Sequence, residues 1–286
     1  MNNRANNILR CPECYSHDLV RLESSFQCTN CKSEFIDFKN VTTLIAKRHQ
    51  KSSYDLDIPI NWKKDYLKLE APWDDYFKSL IPKGQGLLLD YACGGGKKSF
   101  IESLGYDYIG LDYFLNSGVD ILAHGMNIPI QDNSIDLVTS QSVMEHIPNP
   151  WDGFREISRI LKPGGLYVGA TAFLQPYHAN SYFHMSHLGV RYIAENTGFE
   201  IVEILPSKMN GIESITNTMY NIKYLKKIVS SILNIPFYTG KYLRKLIAGI
   251  LIAKSKDDNF KKNMKDFMQE EDIRYSAVIY YILKKI

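Results

Sequence analysis

The chain has 286 residues, 45% of them hydrophobic and 23% charged, with a formal net charge of +3. That is room for one full α/β core plus an accessory unit, and it excludes a disordered or fibrous chain. So small a positive excess does not by itself argue for a nucleic-acid partner. The opening residues NNRANN are polar and unlike a leader, and no apolar run is long enough to span a bilayer, so the expected compartment is the cytoplasm.

Residues 1–46 hold four of the five cysteines, as Cys11-Pro-Glu-Cys14 and Cys28-Thr-Asn-Cys31. Two such knuckles present four thiolates for tetrahedral Zn²⁺, and the intervening LVRLESSFQ alternates as a hairpin does, which together describe a zinc ribbon. A unit this short buries little core, so bound metal would supply its folding free energy. Disulfides, and an iron-bearing or unligated site, are the alternatives. Residues 47–80 read as a polar connector and then a helix over Tyr66–Leu80, with Trp73, Phe77 and Leu80 on one face and Pro82-Lys83-Gly84 as its stop. Tyr54, Tyr66 and Trp73 are candidates to cover a ligand, with simple packing as the alternative.

The segment 81–210 carries the chemistry. Leu87–Gly96 reads LLLDYACGGG and Tyr108–Asp112 reads YIGLD. An apolar strand ends in an acid and a small-residue turn, and a second strand ends in another acid suited to a ribose. An acid two residues before the turn is poorly placed to meet a diphosphate, but it can accept a hydrogen bond from an ammonium or a bound water. The ligand should therefore combine a cationic amino-acid portion with an adenosine.

These residues resemble the first motif of the class I S-adenosylmethionine-dependent methyltransferases, roughly D-x-G-x-G-x-G, with Ala92 standing where the family usually has glycine. The resemblance extends over about residues 80–205, through NIPIQDNSIDLV (Asn127–Val138) and SQSVMEHIPNPWDGFREISRILKPGG (Ser140–Gly165). It implies a Rossmann-like, mostly parallel seven-stranded sheet and S-adenosylmethionine as cofactor. Asp90 is expected at the methionine ammonium, and Ala92, Cys93, Gly94 and Gly96 in the turn beneath the cofactor, Cys93 packing rather than attacking. Asp112 is expected on the ribose hydroxyls. Where the family often has an acid near the adenine, this chain has His124, leaving Gly125 and Met126 to shape the pocket; Gln141 is a candidate at its edge. Glu145-His146 resembles the family's EH pair and makes His146 a candidate base, while Asp152, Glu156 and Arg159 read mainly as polar and capping positions of the next helix.

After a fifth strand at Leu166–Thr171 comes AFLQPYHANSYFHMSH, which resembles the loop of bacterial methyltransferases associated with surface polysaccharides and other glycans. Of His178, His184 and His187, His178 is the preferred second base, and no acid cluster completes a metal site around them. Phe199–Leu205 is expected as the sixth strand and Ala277–Leu283 as the last, within 271–286. Between them, residues 211–270 form a helical insertion. From Ile222 to Lys256 it holds eight Lys/Arg and no Asp or Glu, with apolar residues at helical spacing and Pro236 and Gly240 separating two helices. That pattern suits an anionic membrane surface at its inner face, with ordinary packing, dimerisation or nucleic acid as alternatives.

The resemblance implies O-methylation, ahead of N-methylation, of a glycan or lipid-linked sugar in cell-envelope biosynthesis. An RNA methyltransferase is the alternative: the ribbon is similar to short ribbons on several bacterial methyltransferases, and it either recognises substrate or caps the catalytic domain. A catalytically inactive cofactor-binding module is the third reading.

Overall fold

The computed structural model describes residues 6–50, 73–95, 97–175, 181–219 and 223–286. Gly96, Tyr54, Tyr66 and His178 lie outside the described residues.

Strands β1 (Leu19–Arg21), β2 (Ser25–Cys28) and β3 (Glu34–Ile36) form a three-stranded antiparallel ribbon, so the hairpin expected between the knuckles is present. Each knuckle turns through a residue with positive φ, Tyr15 at 63° and Lys32 at 62°. Their amides donate to the Cys11 and Cys28 carbonyls at 2.9 Å. The chain then contributes β4 (Thr42–Thr43), which pairs in parallel at the edge of the main sheet, and α1 (Lys47–Gln50).

The main sheet comprises β4, β5 (Gly86–Tyr91), β6 (Tyr106–Asp112), β7 (Ile121–Leu122), β8 (Ile135–Gln141), β9 (Leu161–Ala172), β10 (Phe199–Pro206) and β11 (Val278–Lys285). Its order is β10-β11-β9-β8-β5-β6-β7-β4, with β11 antiparallel to both neighbours and β4 to β9 mutually parallel. The seven expected strands are thus joined by an eighth, β4, from the segment read as ribbon. Among the described residues six helices surround this sheet besides α1 and a helical turn: α2 (Asp75–Leu80), α3 (Lys98–Ser103), α4 (Pro150–Ile160), α5 (His187–Glu195), α6 (Gly211–Met219) and α8 (Asp258–Arg274). A long α7 (Lys223–Lys254) runs between the last two. The helix expected over Tyr66–Leu80 begins only at Asp75: Asp74 is extended as its cap, Trp73 precedes it outside the helix, and 66–72 lie outside the described residues; α8 ends four residues beyond the expected limit of 270.

β5 reads as a continuous apolar run because it is covered on both faces: Leu88 and Leu89 are fully buried, as are Ile109 on β6 and Val138 on β8. Each such side chain contributes about 1.5–3 kcal/mol of burial. Helix α4 starts with Pro150, whose missing amide loses nothing at a first helical position, and turns Phe154, Ile157 and Ile160 inward. Phe154 meets an aromatic cluster of Tyr167, Phe199 and Tyr281, and Gly169 is what admits it, since a Cβ there would lie 2.1 Å from the Tyr281 ring.

The insertion differs from expectation. Pro236 and Gly240 do not separate two helices; α7 is one helix of 32 residues that passes through both. An internal proline costs about 3 kcal/mol, and here the surroundings bracket it. Asn210 Nδ2 donates to Asn234 Oδ1 and to the Tyr238 hydroxyl, each at 3.0 Å, two residues to either side of Pro236.

Candidate active site at the switch point of the sheet

Chain direction across the sheet reverses beside β5, which has β6 on one side and β8 on the other. The crevice above the carboxyl ends of such strands is where open α/β sheets bind ligands. Asp90, the turn Ala92–Gly95, Asp112 and Gln141 all lie at that edge.

The turn is held by the second strand. Asp112 ends β6 with its carboxylate buried, Oδ2 accepting from the Gly94 amide at 2.8 Å and Oδ1 from the Phe114 amide at 2.9 Å. Burial raises its pKa, opposed by the amides of Phe114, Gly94 and Tyr113. Each oxygen keeps a further lone pair. Gly94 sits at φ +56°, and among the described residues no heavy atom lies within 4 Å of where a Cβ would be, so they leave open space above the turn. Ala92 also takes a left-handed φ, 53°, the conformation that glycine adopts without strain.

Asp90 is 1% exposed and faces Tyr108 and Thr139, whose hydroxyls donate at 3.4 and 3.5 Å. Burial drives its pKa well above the usual carboxylate range, against the pull of Lys97. Cys93 is buried beside Val119 and Leu122, and burial raises its thiol pKa, which keeps the thiol protonated among apolar neighbours. Past β7, His124 is buried and accepts the Met126 amide on Nδ1 at 3.2 Å. Burial lowers its pKa to about 4, and its ring stacks on His49 at 4.2 Å. Gly125 packs on Tyr91, whose hydroxyl would lie 2.4 Å from an added Cβ.

At the end of β8, Gln141 Nε2 donates to Asp74 Oδ2, while Oε1 is buried with no hydrogen-bond partner among the described residues. Asp74 caps α2 by accepting from the Phe77 amide at 2.8 Å and also accepts from the Tyr280 hydroxyl at 2.9 Å. An aspartate three residues before Phe77, the first residue of the apolar face within the helix, is readable as a cap; its link to β8 and β11 carries no local signal. Glu145 was noted only as half of a pair, yet it is fully buried. Its carboxylate accepts from Thr171 Oγ1 at 3.1 Å and the Ala172 amide at 3.2 Å, and its carbonyl accepts from the Tyr182 amide at 2.7 Å. It therefore ties the end of β9 and Tyr182 to the turn that follows β8. His146 follows on the same turn, half-buried, its amide donating to the Val143 carbonyl at 2.8 Å. His184 is spent on Ser181 and the Phe173 carbonyl, and His187 opens α5.

Residues 89–169 match the methyltransferase domain family. Uncharacterized methyltransferases of Mycobacterium bovis and Mycobacterium leprae are 32% and 31% identical over 38% and 36% of this chain. The chain spans about half the length of these curated relatives, the matches covering 48% and 44% of them. This chain has the class I S-adenosylmethionine-dependent methyltransferase fold. Among solved structures, an S-adenosylmethionine dependent methyltransferase from Mesorhizobium loti shares 12% identity at a TM-score of 0.43, covering 73% of this chain and 96% of its own. A phosphoethanolamine N-methyltransferase of Haemonchus contortus shares 16% at 0.39, covering 79% of this chain and 52% of its own. The assignment rests on residues 89–169 and the site geometry, not on these overlays.

The crevice of the methyltransferase domain fits the cofactor. The space above Gly94, the spare lone pairs of Asp112 and the orphaned Gln141 Oε1 match a ligand with hydroxyl and ammonium donors. The ribbon likewise fits a metal. Sγ atoms of Cys11, Cys14, Cys28 and Cys31 all lie within 4.8 Å of one another, with the pairs Cys11–Cys31 and Cys14–Cys28 at 3.6 Å. A zinc ion with four thiolates at about 2.3 Å places its sulfurs about 3.8 Å apart. All four cysteines are free rather than paired in disulfides, and the Ser33 hydroxyl holds the Cys31 thiol down to about 6. No other cluster of metal-ligating side chains is found among the described residues.

Proposed function

We propose that this domain transfers a methyl group from S-adenosylmethionine to a hydroxyl oxygen of a glycan or lipid-linked sugar used in cell-envelope biosynthesis. The observation that carries the methyl-transfer reading is the turn open above Gly94 and locked to Asp112, in a segment matching the methyltransferase domain family. The QPYH loop after β9 supports the acceptor class.

When bound, S-adenosylmethionine would supply a sulfonium-activated methyl group, whose carbon bonds to the substrate oxygen as its bond to sulfur breaks and S-adenosylhomocysteine leaves. Asp112 would hold the ribose hydroxyls and Asp90 the ammonium, with Gln141 Oε1 as a further acceptor and Gly125 and Met126 framing the adenine. Ala92 and Cys93 hold the shape of the turn. A hydroxyl acceptor must lose its proton as it reacts, and imidazole titrates in the range that suits this. His146 is assigned that proton, with His178 the second candidate. Glu145, by fixing Tyr182 and the end of β9, would steady the side on which the acceptor is proposed to approach the methyl group.

The test is transfer of isotope-labelled methyl from S-adenosylmethionine into separate pools of envelope glycans, sugar nucleotides and RNA, followed by mass analysis. Label in a sugar-containing pool, lost in His146→Ala, is the expected result. Label in RNA alone would replace the acceptor and give the ribbon a recognition role. Tight cofactor binding without transfer to any pool would make the domain a binding module.

A further inference from the structure

Helix α7 is built inside out. The stripe it turns toward α6 and α8 is polar: Ser230 and Asn234 are buried and bonded to each other at 3.1 Å. Lys241, Arg244 and Lys245 are paired with Asp272 and Glu271 of α8, Lys245 at 3.1 Å from Asp272. The opposite surface is apolar and bare. Ile232 is 60% exposed, Ile235 64%, Tyr242 72%, Leu243 54%, Leu246 50% and Ile250 47%. Phe237 closes the polar side by packing edge-on against Tyr275 at 5.1 Å.

At 100° per residue the exposed apolar positions from Ile228 to Leu251 sweep roughly 220° of the helix, against the narrow stripe of a surface helix in water. Such an arc is out of place facing solvent. A second copy of the helix would cover only the narrow seam that one helix presents to another; a continuous apolar medium covers the whole arc. Charge selects the medium further. From Ile222 to Lys256 there are eight Lys/Arg and no acid. The three central ones answer the acids of α8, while Lys254 and Lys256 remain exposed at the helix end. No described helix is long and apolar enough to cross a membrane, so α7, about 48 Å long, would lie in the plane of the interface.

We infer that α7 docks the protein on an anionic bilayer, its Ile232–Ile250 arc among the acyl chains and Lys254 and Lys256 among the headgroups. Tyr242 on the arc, 72% exposed, has the apolar body and polar tip that suit that depth. This docking stands apart from the identity of the methyl acceptor.

The experiment is flotation of the full chain with phosphatidylcholine vesicles, with and without phosphatidylglycerol, alongside sedimentation velocity. The protein should float with the anionic vesicles. Leu246→Glu and Tyr242→Glu should each reduce the bound fraction's partition about tenfold or more, and Lys254→Gln about fivefold on anionic vesicles only. Both apolar positions are exposed, so unchanged thermal unfolding and unchanged methyl transfer to a water-soluble acceptor separate loss of docking from loss of fold or of function. Failure to float, or flotation that salt abolishes and Leu246→Glu leaves intact, would overturn the inference. So would a dimer in solution that Leu246→Glu dissociates, which would assign the arc to a second copy.

Discussion

Asp90 offers the sharpest test of the site. Its carboxyl is buried at the end of β5, with two long hydrogen bonds from Tyr108 and Thr139 and a pKa driven well up by burial. The unfolded chain releases this proton near about pH 3.9, whereas the folded protein holds it to a higher pH. Above about pH 3.9 the folded state therefore binds more protons than the unfolded one, and stability falls with rising pH until the folded pKa is passed. Asp90→Asn has no proton to lose and nearly the same shape. Its Oδ1 can accept from Thr139, and its amide can donate to the Tyr108 oxygen once that hydroxyl gives its one proton to the Gly118 carbonyl, the shorter of its two contacts at 3.0 Å against 3.4 Å to Asp90.

Within that window the variant should gain on the wild type by about 1.4 kcal/mol per pH unit, the difference levelling off at the folded pKa of Asp90. Urea unfolding of the cofactor-free protein at a series of pH values between about 4 and 8 measures it directly. A difference independent of pH would refute the reasoning, since the carboxyl would then titrate alike in both states. The same residue links to the proposed ligand. An ammonium at Asp90 favours the carboxylate, so cofactor binding should release a proton, visible as a dependence of calorimetric heat on buffer ionisation. Asp90→Asn should remove that dependence and weaken binding by about 1.5–3 kcal/mol, a stability gained at the cost of affinity.

Asp112→Ala should lower cofactor affinity and release the Gly94 amide, with a loss of about 1.5–3 kcal/mol for a hydrogen bond to a charged group; unchanged affinity in calorimetry would defeat its ribose role. Ala92→Gly should stabilise the cofactor-free protein by about 1 kcal/mol, because the left-handed conformation costs a Cβ about that much; a fall in the unfolding midpoint would show that the methyl group is needed for packing. Elemental analysis should find one zinc per chain, and Cys28→Ser should lose it together with the ordered ribbon, read by hydrogen exchange at β1–β3. Full zinc occupancy in that variant, or iron in the wild type, would overturn the assignment.

The parts of this molecule visible in its sequence are those whose cause is local. β5 and β6 announce themselves as apolar runs because both faces are covered, and the acids that close them stand at fixed offsets from a turn. The CxxC knuckles are equally local, since each is one backbone reversal around one metal. Asp74 shows the opposite case. Its capping role can be read from neighbouring residues, but its bonds to Gln141 and Tyr280 join segments 67 and 206 residues away. Glu156 and Arg159 looked like helix-surface charges, yet Arg159 reaches the Ile128 and Ile130 carbonyls at 2.9 and 2.6 Å, and Glu156 takes the Ile128 amide at 2.7 Å. Pro236 misled for a similar reason: proline breaks a helix unless tertiary contacts hold both sides, and Asn210 does so from another element. Periodicity found the apolar positions of α7 but could not say which side of the helix faces the protein, because the buried side is the polar one.

The placement of the ribbon argues for a part in shaping the cofactor crevice beyond that of a remote cap. Asn127 donates to the Pro12 carbonyl inside the first knuckle at 3.0 Å, and Arg10, one residue before Cys11, meets Asp132 and Glu156 at 3.4 Å. After the second knuckle the chain joins the sheet as β4, the Leu44 amide donates to the Leu122 carbonyl at 2.9 Å, and His49 stacks on His124. Both ends of the metal-bearing segment thus grip the stretch from β7 to Asp132, which contains Gly125 and Met126. A four-thiolate site that fixes the ribbon's fold also fixes the wall of the crevice that carries Gly125 and Met126, the side proposed for the adenine. Burial leaves His124 neutral near pH 7, so its contact with His49 is a packing of two uncharged rings and the grip should persist across the physiological range. Loss of metal should therefore lower cofactor affinity even though no cysteine ligand lies in the crevice.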